Sequence, residues 1–98
     1  GANIAAKCAH GQTPLHGAAL IGRVPMIQML VNAGADTEAP DNLGWTALHV
    51  AAEEGRVDSI EALLGAGANP MARAHNGLTP AQLAAAAGHP RRLACWAP

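Results

Sequence analysis

One phrase occurs three times in this chain, always 33 residues apart. Thr46-Ala47-Leu48-His49-Val50-Ala51-Ala52 is preceded by Thr13-Pro14-Leu15-His16-Gly17-Ala18-Ala19 and followed by Thr79-Pro80-Ala81-Gln82-Leu83-Ala84-Ala85. Gly22, Gly55 and Gly88 close the three copies, and Gly11, Gly44 and Gly77 precede them in register. Ile27, Ile60 and Leu93 keep the same period, as do Gly34 and Gly67. A fixed period of this length marks an array of stacked units, none of which buries its apolar face alone.

The local signals within one period predict two short helices. Thr13, Thr46 and Thr79 stand where a helix N-cap belongs. Pro14 and Pro80 follow at the first helical position, where a missing N–H costs nothing. The first helix is expected to run to about Leu20, Glu53 and Ala86, its alanines allowing close backbone approach, with the glycine ending it. A second helix then carries Val57, Ile60, Leu63 and Leu64 on one face, matched in the first unit by Val24, Ile27, Met29, Leu30 and Val31. Pro25 and Pro90 fall in its first turn, where proline is tolerated. Each helix is shorter than the roughly 12–15 residues an isolated helix needs in water, so stacking must supply the stability.

These residues carry a family resemblance. TPLH or TALH followed by Ala-Ala, a glycine, an Ile/Leu-rich segment and then Gly-Ala-Asp or Gly-Ala-Asn resembles the ankyrin repeat, in register over nearly the whole chain. The resemblance implies an all-α helical solenoid, its helix-turn-helix units joined by short β-hairpin linkers at residues 7–12, 38–45 and 71–78. It divides one array, residues 1–98, into the tail of a preceding unit (1–6), two full units (7–39 and 40–72) and an incomplete third (73–98). Gly1-Ala2-Asn3 matches Gly34-Ala35-Asp36, so the chain is expected to be a piece of a longer array or a short domain with an eroded last unit.

Composition excludes several classes. Half the residues are apolar but only Trp45 and Trp96 are aromatic, which suits thin, closely packed helices. No apolar run approaches the roughly 18 residues of a membrane span, and no signal peptide is visible. A net charge of −1 gives no support for binding nucleic acid or a membrane surface. All seven acids lie between Asp36 and Glu61, with Arg73, Arg91 and Arg92 after them. Cys8 and Cys95, at opposite ends of a linear stack, are expected to be too far apart to pair. Two unpaired thiols then point to a reducing compartment, cytoplasmic or nuclear.

No catalytic, cofactor or metal constellation is present. His16 and His49 take the family's structural position, which ties the helix start to the linker. His10, His75 and His89 make no ligand spacing. There is no GxSxG, Walker A or GxGxxG. Glu53 and Glu54 are adjacent on a helix and diverge by about 100°, so they do not flank one bond. The chain is therefore read as a non-enzyme without cofactor or metal.

The resemblance implies instead a protein-protein interaction module, with a partner protein or peptide on the concave face. The linker tips His10, Gln12, Asn42, Leu43, Trp45, Arg73, His75, Asn76 and Leu78 would form the contact surface. The helix ends Leu20, Ile21, Glu53 and Glu54 would complete it. Trp45 holds a variable position matched by Gln12 and Leu78, and is expected to be presented to the partner beside exposed Leu20 and Ile21. Trp96 is read as a core or end-cover residue. Two rival readings are a structural spacer within a longer array and a regulatory domain of an enzyme whose catalytic part lies elsewhere. Uncapped ends are expected to allow weak self-association.

Overall fold

A computed structural model describes residues 8–85, which form five helices. They are α1 (Pro14–Ile21), α2 (Val24–Asn32), α3 (Ala47–Glu53), α4 (Val57–Gly65) and α5 (Pro80–Ala85). The first helices α1, α3 and α5 pack side by side in one layer, and α2 and α4 form a second layer behind them. Every described residue in regular structure is helical, so the fold is an all-α repeat.

The expected caps are in place. Thr13 and Thr46 are extended (ψ 169° and 172°), and each opens a helix whose third residue is histidine. The histidine Nδ1 accepts the threonine N–H, at 3.0 Å for His16 and 3.1 Å for His49. In the third unit Gln82 substitutes for histidine, its Oε1 accepting from Thr79 N at 2.9 Å.

The small residues do what the repeat predicts. Ala18, Ala19, Ala47 and Ala51 are almost wholly buried, and they let α1 and α3 approach until Leu15, Ile27, Leu48 and Leu63 close one core. Burying each of those large side chains favours folding by roughly 1.5–3 kcal/mol. A second core lies along the same layer and joins Leu20, Trp45, Val50, Ala74 and Leu83, with Leu78 packed against it.

The second-helix face differs from expectation. Ile27 and Leu63 are fully buried, but Val57 (61% exposed), Leu64 (43%) and Met29 (66%) face solvent. Ser59 occupies the interior in their place. The reason is polar. The last carbonyls of a helix lack intrahelical partners, and α4 and its N-cap residue Arg56 supply donors to those of α1. Ser59 Oγ donates to Ala19 O at 3.1 Å, and Arg56 Nε to Leu20 O at 2.9 Å. Arg56 also places positive charge at the negative end of α1's dipole.

The linkers are tight turns, with no strand among the described residues. One further expectation fails. Cys8 is disulfide-bonded, against the expectation of an unpaired thiol. The sequence has one other cysteine, Cys95, outside the described residues. The inference of a reducing compartment from free thiols falls with that expectation. Trp96, His89, Pro90, Arg91 and Arg92 also lie outside the described residues.

Candidate partner-binding surface

The three linkers are built alike. A residue at one end donates its N–H to a carbonyl four residues on: Cys8 to Gln12 (3.0 Å), Asp41 to Trp45 (2.9 Å) and Ala74 to Leu78 (2.9 Å). Its own carbonyl accepts from Gly11, Gly44 or Gly77 respectively, at 2.8–2.9 Å. In the second linker Asp41 is buried and reinforces the turn. Its Oδ1 accepts from Leu43 N at 2.8 Å and from Trp45 N at 2.9 Å. Asn76 does similar work in the third, accepting from Leu78 N at 3.1 Å.

Successive linkers are also joined to each other. Asn42 N donates to His10 O at 3.1 Å, and one unit on, His75 N donates to Leu43 O at 3.0 Å. Asn42 Nδ2 adds a bond to Ala9 O. This contact requires glycine beside it. A Cβ on Gly44 would lie 2.7 Å from His75 N, and the residue is at φ 79°, where side chains are strained. The bonds align the tips, so Asn42, Leu43, His75 and Asn76 form one exposed row with half-buried His10 at its start. Leu43 is the exposed apolar member, at 53%. Arg73 is exposed too, but its Nη1 is engaged by Gly77 O at 3.2 Å.

Other expected contact residues are inside. Trp45 is 7% exposed, Leu20 7% and Gln12 2%. Trp45 is therefore not presented. Its indole sits in the second core with Leu20 and Leu83 and stacks on His49, ring centroids 6.3 Å apart. Its backbone carbonyl accepts from His16 Nε2 at 2.7 Å. The position before the cap is variable in sequence, yet it is where each unit receives the histidine of the unit before, so its side chain is drawn inward. The apolar patch expected from Leu20 and Trp45 is thus interior packing. Leu78 is half-buried at the equivalent place, and its carbonyl accepts from His49. Ile21 and Glu53 are half-buried and Glu54 is exposed at the end of α3.

The histidines serve structure, in a wider role than expected. Because Nδ1 accepts a backbone N–H, the proton sits on Nε2, which donates to the following linker. Each therefore ties its own helix start to the next unit. Among the described residues no group of three or more His, Cys, Asp or Glu is arranged to hold a metal ion. No helix among them is long and apolar enough to cross a membrane.

Sequence reasoning missed a groove of about 500 Å³ between α2 and α4. Its floor is Ile27, Val31 and Ala62, and Gln28, Asn32 and Glu61 stand along its sides. Gly65 forms one end. The signal was present at the repeat spacing: Gln28 and Glu61 are equivalent positions, and so are Asn32 and Gly65. Polar or minimal residues there leave a trough where large side chains would interdigitate.

Comparison with known families agrees with the repeat architecture. A family model for ankyrin repeats, in three copies, matches residues 1–74. No curated protein matches the chain. Ankyrin repeats are generally protein-interaction modules and typically non-catalytic. The 33-residue period, the histidine ties between units and the family match over most of its length together establish that this chain belongs to the ankyrin repeat family.

Proposed function

We propose that the chain is a protein-binding module of the solenoid type, which takes a partner protein or peptide on its concave face along the row of linker tips. The observation that carries this reading is the pair of backbone bonds from Asn42 to His10 and from His75 to Leu43. They hold exposed side chains of successive units on one frame. A surface already ordered in this way loses little conformational entropy when a partner docks. Leu43 replaces Trp45 as the apolar anchor, with Asn42, His75 and Asn76 as polar neighbours and Glu54 as a more distant acidic contact. The units are those of residues 7–39, 40–72 and 73–98.

The test is affinity capture with the intact chain and with Leu43→Asp, which alters an exposed tip and leaves both cores alone. Proteins retained by the first and lost from the second are partners of the linker row. Identical retention by both would remove Leu43 and the linker row from the contact surface.

A further inference from the structure

The groove between α2 and α4 lies on the opposite layer from α1 and α3, where the linker row plays no part. Its residues are unusually uncommitted. The side chains of Gln28, Asn32, Asp58 and Glu61 form no hydrogen bond or ion pair among the described residues, and all four are exposed. Asp58 and Glu61 lie one turn apart on α4, and Asp58 lines a neighbouring part of the same trough with Val24 and Gln28. No lysine, arginine or histidine lines either part. The nearest cations along the chain are Arg23, which precedes Val24 at the N-terminus of α2, and Arg56, whose Nε is engaged by Leu20 O.

We propose that this groove binds an arginine-bearing peptide segment of a partner protein. The floor is apolar and the sides are acidic or amide-bearing, which is the complement of an arginine side chain. The methylene stem lies along Ile27, Val31 and Ala62, as long cationic side chains commonly lie over apolar surface. The guanidinium fork meets the Glu61 carboxylate and the Gln28 amide oxygen together, two acceptors that a planar five-donor group satisfies better than an ammonium. Asp58 extends the negative field along the trough and favours encounter with a second cation. The groove runs beside the nine residues of α2, a length of about 13 Å at 1.5 Å per residue. That accommodates about four residues of extended peptide.

Gly65 makes the proposal testable without unfolding the protein. It lies in α4 with ordinary helical backbone, and a Cβ added there would meet nothing within 4 Å. Gly65→Leu therefore fills the trough while raising helix propensity. The experiment uses the full chain, isotopically labelled, titrated with a blocked five-residue peptide of alternating arginine and alanine at low salt. Amide shifts are read by NMR. The expected result is saturable shifts confined to α2 and α4 around Gln28, Asn32, Glu61 and Gly65. Glu61→Gln should weaken binding about fivefold, the upper end for a single exposed ion pair. Gly65→Leu should abolish it. Glu38→Gln, an exposed acid elsewhere whose amide oxygen still accepts from Asn69 N, should leave it unchanged, and a lysine-for-arginine peptide should bind more weakly. Shifts spread over all acidic positions, equal weakening by Glu38→Gln, or full binding by Gly65→Leu would each overturn the proposal.

Discussion

His16 reaches across the boundary between units and donates its Nε2–H to the backbone carbonyl of Trp45 at 2.7 Å. His49 repeats the bond to Leu78 at 2.9 Å. In each case the same ring accepts the N–H of the threonine that caps its own helix. One imidazole thus satisfies a helix start and a neighbouring linker together, at 0–1% exposure.

Removing that ring strands a buried donor and a carbonyl at once. His49→Ala is expected to cost about 2–4 kcal/mol, since an unsatisfied buried polar group costs about 1–3 kcal/mol and a cavity adds to it. His49→Gln should recover part of the loss, because Gln82 already makes the corresponding bond to Thr79 at 2.9 Å. Urea denaturation of the three proteins measures both effects. Equal stability of the alanine and glutamine variants would show that the hydrogen bonds contribute nothing beyond volume.

Trp45→Ala should destabilise the fold by about 3–5 kcal/mol, as truncating a buried large aromatic does. The indole is shared between the second core and the face of His49, so the damage should reach the histidine tie as well. Circular dichroism during denaturation is the measurement. An unchanged midpoint would mean that the ring spends its time outside the core.

The linker glycines separate two kinds of strain. Gly44 and Gly77 share a left-handed backbone, φ 79° and 82°, but only Gly44 has the next linker against it. Gly77→Ala should cost about 1–2 kcal/mol, the penalty for a side chain in that conformation. Gly44→Ala carries the same penalty and also pushes a methyl into His75, whose N would be 2.7 Å away. The difference between their unfolding free energies therefore reports the linker-to-linker contact alone. Equal costs would show that the two tips move apart freely.

Much of the fold was legible because its signals are local and repeated. Thr13, Thr46, Pro14, the alanine pairs and Leu48 behave as their positions predict, since a cap or a close-packed alanine depends on a few neighbouring residues. The features that differ from their sequence signals depend on contacts 29 to 40 residues away. In sequence Trp45 reads as a surface anchor, because nothing adjacent explains it. Its environment is built by Leu20, Ala74 and Leu83 from the flanking units. A serine in a helix, as at Ser59, looks like a solvent residue until the end of α1 is placed beside it. Val57 and Leu64 fit an apolar helical face on paper, but α1, α2 and α3 pack on the side of α4 that carries Ser59 and Leu63 and leave Val57 and Leu64 exposed. Of the expected contact residues, the linker tips are at the surface, whereas Gln12, Leu20 and Trp45 are interior because each lies where one unit is seated on another.

The spacing of these ties restricts which changes of chain length the protein tolerates. His16 meets a carbonyl 29 residues ahead, and the His10 carbonyl meets an amide 32 residues ahead. Excising 33 residues between them and Leu78 would bring His16 to the Leu78 carbonyl and His10 to the His75 amide, so every partner is replaced by its equivalent. Excising 32 or 34 would bring a wrong group to each. Insertions and deletions across the boundary are therefore quantised: one whole period preserves the chemistry of the joint, and a single extra residue does not.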